Sequence, residues 1–283
     1  MAATAGTPRA RALSAALRDA RETRGVGLRV LARQLEFSHT QISHWETGYR
    51  VPGVETVAMI LTALRVSAGE RERILDLARN LGEPSWLTVG TAGIPQQLAG
   101  AIECERAASA ISEWSPMVVP GLLQTADYSR ALLEGIDLSK EDLDARVIAR
   151  AGRGEVLNER DPLRFEALIS EAVVHEPIGS ARTMRTQVEH LIDISAKPNV
   201  TIRVVPLRVG WHPGWSGPFV VYEFPDAPAV VHFEHYSSGV FVPVEHDVRE
   251  YRKAVRKIHD IAMDPTGSLD CLAKALKVWE VDR

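Results

Sequence analysis

The sequence predicts an all-α five-helix helix-turn-helix domain followed by a larger α+β domain with a small sheet and terminal helices. Three observations carry this. Between residues 9 and 80, apolar side chains recur at three- and four-residue spacing in short blocks. Residues 81–96 collect Gly82, Pro84, Gly90, Gly93 and Pro95, the composition of a linker. After Pro162 the pattern changes to short β-branched runs such as Val200-Thr201-Ile202-Arg203-Val204-Val205, which suit strands. The expected organisation is a disordered start over 1–8, a helical domain over 9–80, a linker over 81–96 and an α+β domain over 97–283.

In order along the chain, Leu13, Ala16, Leu17 and Ala20 form the core face of a first helix. Leu28, Leu31, Ala32 and Leu35 fall at i, i+3, i+4 and i+7 and form the face of a second. The chain breaks at Glu36-Phe37, and Ser38 with Gln41 three residues on is a capping-box pair, so a third helix starts at His39. That helix buries Ile42 and Trp45, turns His39, Thr40, Ser43, His44 and Thr47 the other way, and stops near Gly48. Val57, Ile60, Leu61 and Leu64 mark a fourth helix, and Ile74, Leu75 and Ala78 a fifth after Ser67. A short helix with small hydrogen-bonding residues on its exposed N-terminal side suits entry into a DNA major groove. Any small helical bundle can also show two short helices joined by a tight turn.

Length and charge bound the possibilities. A chain of 283 residues holds two domains or three, with ample apolar content for cores. It shows no run of eighteen apolar residues and no basic-then-apolar leader, which leads to the expectation of a soluble cytoplasmic protein with no membrane partner. Cys104 and Cys271 are too few for a disulfide framework or a zinc site and read as small buried hydrophobes. The net charge of −4 is unequally spread: residues 1–69 carry nine Arg against five Asp or Glu, leaving about −8 on the other 214 residues. A basic reader joined to an acidic body fits a regulator with one DNA-facing end. So small a positive charge predicts weak binding by one copy, and two copies on a two-fold site are the natural remedy.

The run Leu17-Arg18-Asp19-Ala20-Arg21-Glu22, Gly25, Leu31-Ala32, Ser38 through Gly48 and Val51-Pro52 resembles the phage-repressor, or Xre (Cro/C1), type of helix-turn-helix. The resemblance implies that Arg21 pairs with Glu46 beneath the recognition helix. It implies base contacts from His39, Thr40, Ser43 and His44. Arg29, Arg33 and Arg50, with Ser38 at the cap, are the candidates for sugar-phosphate contact. One departure stands out: the family usually has glycine in the turn, where this chain has Glu36. If the backbone there needs positive φ, Glu36 costs ~1 kcal/mol and brings a negative charge near the DNA face.

In the second domain, Leu98, Ile102, Glu105 and Ala108 begin a helical segment expected to end near Trp114-Ser115-Pro116. Val119 through Thr125 form a turn feeding a helix with Tyr128, Leu132 and Leu133, and Arg146, Arg150 and Leu157 lie on a further helix. Strands are expected over 165–169 and 200–205, bracketing a helix from Ala181 to Ser195, and over 219–224 and 230–235, separated by Pro225-Asp226-Ala227-Pro228. Two terminal helices close the chain, one carrying Val248, Tyr251, Val255, Ile258 and Ala262, the other starting at Ser268.

The string Val119-Pro120-Gly121-Leu122-Leu123-Gln124-Thr125, with Trp114, Pro116, Tyr128, Asn199-Val200-Thr201 and Gly217-Pro218-Phe219, resembles the C-terminal domain of an actinomycete family of Scr1-like antitoxin-type regulators, a domain of unknown function behind an Xre head. That resemblance implies regulation and a small protein partner encoded nearby, and supplies neither ligand nor reaction. Gly152-Arg153-Gly154 replaces the family's Arg-Gln and points to a shorter helix there.

Other chemistry finds less support. Trp211, His212 and Trp215 sit in a turn-rich loop and form either a partner or ligand surface or a cap on the sheet's core. His212, His232, His235 and His246 invite a metal, yet on a strand His232 and Glu234 face one way and His235 the other. Arg146, Arg150, Arg153 and Arg160 read as a solvated helix face before they read as an anion site. Nucleophile-elbow and dinucleotide glycine patterns are absent. The expectation is a non-enzymatic, homodimeric regulator of a double-stranded DNA operator with no metal and no cofactor. The alternatives are a DNA-targeted enzyme and a pure protein-interaction module.

Overall fold

The computed structural model describes residues 8–79, 81, 96–136, 138–159, 162–225, 227–234 and 239–281. The expected disordered start, the linker with Trp86 and Leu87, and also Arg160, Asp226 and His235 fall largely or wholly outside these residues.

The head consists of α1 (Pro8–Thr23), α2 (Leu28–Gln34), α3 (His39–Glu46), α4 (Val54–Ala63) and α5 (Ala68–Arg79). Their apolar stripes meet in one core of Leu13, Leu17, Leu31, Ile42, Val57, Leu61 and Ile74, all at most 1% exposed. Burying side chains of this size stabilises by about 1.5–3 kcal/mol each. Trp45 closes this core with its ring edge-on to Phe37, centroids 4.9 Å apart.

The body opens with α6 (Gln96–Ala107), and here the structure differs from the sequence reading. The helix ends at Ala107, and Ala110–Ser115, expected as its continuation, is the strand β1. The other strands are β2 (Arg164–Ser170), β3 (Val200–Val205), β4 (Phe219–Glu223), β5 (Val230–Glu234) and β6 (Gly239–Val242). They form one six-stranded sheet in the order β3-β2-β1-β4-β5-β6. The expected small sheet is therefore larger than foreseen. β1 lies inside it, parallel to β2 and antiparallel to β4, and β6 was not foreseen at all.

The helices α7 (Ala126–Leu133), α8 (Lys140–Ala151) and α9 (Ala181–Ile194) fill the two parallel crossovers, and α10 (Glu245–Ile261) and α11 (Pro265–Val281) close the chain. The twelve-residue α8 passes at Gly152 into a 3-10 turn that carries Leu157, so Leu157 is not on the same helix as Arg146 and Arg150. α11 begins at Pro265, three residues before the expected Ser268.

Both faces of the sheet are covered, and the register shows how. One face carries Phe165, Ile111, Tyr222 and Val230 in a single cross-strand row, packed with Met184, Val188 and Leu191 of α9 and Leu272 of α11. The other face carries Trp114, Leu168, Val205, Phe219 and Val231 beneath Val248, Val255 and Ile258 of α10. Cys104 and Cys271 are buried free thiols, and burial pushes the Cys104 thiol up to about 12. Among the described residues, no helix is long and apolar enough to cross a membrane.

Candidate nucleic-acid interface

α3 is fixed at its start, on its underside and at its end. At the start, the Gln41 N–H donates to Ser38 Oγ at 3.1 Å, while the Ser38 N–H donates to Gln41 Oε1 at 3.0 Å. This capping box satisfies two of the four orphan N–H groups of a helix N-terminus. Underneath, Ile42 and Trp45 enter the core. At the end, Glu46 accepts two hydrogen bonds of 2.7 Å from Nε and Nη2 of Arg21. Arg21 is 9% exposed and Glu46 6%. The hydrogen bond to Glu46 is the main reason the Arg21 pKa is raised. Arg21 also donates to the Val26 carbonyl at 3.1 Å, tying the turn before α2 to the same side chain.

The turn between α2 and α3 has a cost. Glu36 sits at φ 58, in the left-handed region, where an L side chain with a Cβ is strained by ~1 kcal/mol. Its side chain is exposed beside α3.

The structure places the residues expected to read DNA as follows. His39 and Thr40 are exposed at the N-terminal end of α3, and Ser43 and His44 are half-buried one turn further on. His44 stacks obliquely with Tyr49, centroids 4.6 Å apart, and Tyr49 is 51% exposed. Tyr49 is an addition that helical periodicity did not reveal, because it lies beyond the helix end. Arg29, Arg33 and Arg50 are all exposed, and Arg29 and Arg33 share one face of α2 at i, i+4. Thr47 departs from its expected companions: it lines the cleft against the body.

In the body, the Val119–Thr125 string is a self-satisfied corner. The Val119 N–H donates to Tyr128 Oη, Gln124 Nε2 donates to the Val119 carbonyl, and Gln187 bonds both the Thr125 N–H and the Leu123 carbonyl. A Cβ on Gly121 would overlap the Arg153 guanidinium. Arg153 is not a solvated residue: it forks onto Glu105 at 2.5–3.1 Å, with side-chain exposures of 10% and 3%. Burial opposes its charge, but Glu105 more than offsets this and raises its pKa.

Residues 98–274, more than half of the chain, match the family described as a domain of unknown function, DUF5753. The chain belongs to the DUF5753 family. Residues 12–74 match a helix-turn-helix domain family, and a helix-turn-helix head points to a DNA-binding regulator. No curated protein and no solved structure matches the chain.

The DUF5753 body carries the remaining candidates. Trp211 and Trp215 are 79% and 70% exposed, so they do not cap the sheet. Trp114, a residue of β1 within the sheet, is 2% exposed and donates from Nε1 to the Gly214 carbonyl at 2.9 Å. A Cβ on Gly214 would come within 2.6 Å of that indole, so only glycine fits. His212 stands between Trp114 and Trp215, with centroids 5.4 and 6.2 Å away, and burial lowers its pKa.

His232 is turned inward in the DUF5753 sheet, stacked on Phe241 at 4.1 Å, and burial holds its pKa down at about 4. His246 is exposed on α10. Among the described residues, no group of three His, Cys, Asp or Glu side chains is placed to hold a metal. Arg150 lies 3.9 Å from Glu234, and its pKa is lowered by burial, although Glu234 works against that.

Proposed function

We propose that this protein is a sequence-specific transcription regulator of the Xre, antitoxin-like kind, which binds a double-stranded operator as a homodimer and works without catalysis. In this reading His39, Thr40, Ser43 and His44 meet base edges, Ser38, Arg29, Arg33 and Arg50 meet phosphate, and the Arg21–Glu46 pair braces the recognition helix. The observation that carries it is α3 itself: capped at Ser38, tied down at Glu46, and exposed at His39 and Thr40. Two copies would set their recognition helices about 34 Å apart, one turn of the duplex. Dimerisation answers the modest charge of the head, because each phosphate contact adds salt-sensitive affinity and two heads double the count.

The DUF5753 body is then the output module, docking a small protein partner or effector. Exposed Trp211 and Trp215, with His212 between them, are the side chains best suited to that surface, since exposed tryptophans are typical binding hot spots. The test is genomic footprinting of the tagged full chain, followed by gel shifts of the recovered sites at several salt concentrations. Palindromic, salt-sensitive sites are expected. Failure to recover sites, with the purified chain also inert toward DNA at low salt, would move the function to the body and its partner.

A further inference from the structure

The end of α3 brings together two aromatic side chains that a continuous helix would keep apart. Positions five residues apart on an α-helix point about 140° away from each other, so further helix would turn Tyr49 away from His44. The helix stops instead. Gly48 takes φ 76, in the left-handed region that glycine enters without strain. The Thr47 N–H and hydroxyl both donate to the Ser43 carbonyl, and the Arg50 N–H donates to the His44 carbonyl at 3.0 Å. This closed turn folds Tyr49 back over the helix. Its ring meets the His44 imidazole with centroids 4.6 Å apart and planes inclined at 49°.

The two rings have little else to hold them. Among the described residues, neither the His44 ring nitrogens nor the Tyr49 hydroxyl makes a hydrogen bond. His44 is half-buried, Tyr49 is 51% exposed, and Tyr49 has no place in the core of the head. An imidazole on an open helix face samples several rotamers, and fixing one of them on DNA costs affinity. Tyrosine is suited to fixing it beforehand, because it offers a large rigid face with only two side-chain torsions. With Tyr49 against its face, the imidazole is left to meet a base by its edge, which carries the ring nitrogens.

We propose that Tyr49 is a positioning residue for DNA reading: its ring holds the His44 imidazole edge-on to the base, and so sets sequence preference at that base pair through His44. The inference rests on the reading of α3 as the recognition helix. It adds to that reading a determinant of specificity that lies beyond the helix.

The test uses the full chain as wild type, His44→Ala, Tyr49→Ala, Tyr49→Phe and the His44→Ala, Tyr49→Ala double variant. Competition gel shifts measure discrimination between an operator recovered by footprinting and random DNA, and thermal melts check the fold. NMR of isotope-labelled histidine follows the His44 ring without DNA, with His44→Ala identifying its signals. Tyr49→Ala should melt like wild type, move the His44 signals toward those of an unstacked histidine, and lower discrimination about three- to tenfold, the range of one aromatic pair. Tyr49→Phe keeps the ring and should restore both signals and discrimination. The double variant should discriminate no worse than His44→Ala, because Tyr49 acts through His44. A Tyr49→Ala protein with unmoved His44 signals, or one that discriminates like wild type while His44→Ala does not, would overturn the proposal. So would a double variant whose two losses add. If Tyr49→Ala folds poorly, Tyr49→Gln decides by the same criteria. If wild type itself fails to tell operator from random DNA, the reading of α3 falls and this inference falls with it.

Discussion

Replacing Glu46 with Ala removes the acceptor of two 2.7 Å hydrogen bonds and strands Arg21, which is 9% exposed, on the Val26 carbonyl and the surface residue Glu22. Breaking one side of a buried ion pair costs about 3–5 kcal/mol. At about 0.05–0.15 kcal/mol per residue, a head of this size has a total stability of about 4–11 kcal/mol, so the single change removes much of it. The Arg21→Met, Glu46→Leu double variant replaces the pair with apolar volume and should recover most of the loss. Hydrogen exchange by mass spectrometry on the full chain is the suitable assay. It isolates amides of α1 and α3, whereas the chain's six tryptophans report on both domains together. Glu46→Ala should lower protection of α3 about a hundredfold or more, the equivalent of about 3 kcal/mol. A loss below about fivefold, or a double variant as weak as the single, would refute the bracing role.

Glu36→Gly should stabilise the head by up to about 0.5 kcal/mol in urea melts, because glycine accepts φ 58 without strain while its looser unfolded state takes back part of the ~1 kcal/mol gain. A destabilised variant would contradict this. Arg50→Gln should weaken binding to all DNA sequences alike and flatten the salt dependence by about one unit of slope. A change of sequence preference would instead make Arg50 a base reader. His232 is held neutral by burial, with its pKa at about 4 against an unfolded value near 6.5. Its contribution is thus full above about pH 6.5 and falls away as pH drops through 4, by up to about 3 kcal/mol. His232→Leu should flatten that stretch of a stability–pH curve, and an unchanged curve would show that His232 is not held neutral.

What was legible in the sequence was local. The Ser38–Gln41 capping box, the Ile42 and Trp45 spacing and the stop at Gly48 all depend on residues within one or two turns, and α3 follows them closely. The body was legible where strands were rich in β-branched residues, as in β3. β1 was missed because it lies inside the sheet with both faces covered, so no polar–apolar alternation marks it. Its Glu113 even points to a covered face, where burial pushes its pKa up to about 8. Arg153 looked solvated because its partner Glu105 lies 48 residues away. Trp114 is buried because it lies on β1 on the face covered by α10, whereas Trp211 and Trp215 stand outside in the loop between β3 and β4. Arg11 gave no sign of special placement, since it is the docking of the body that brings Phe224 against it.

The central claim is that α3 reads DNA through its exposed face. The direct measurement is a competition gel shift of operator against random DNA for wild type and for Ser43→Ala with His44→Ala, alongside a thermal melt of both. The account predicts that discrimination collapses toward the random-sequence level while the melting temperature stays in place. Unchanged discrimination in a normally folded variant would contradict the placement of the recognition helix.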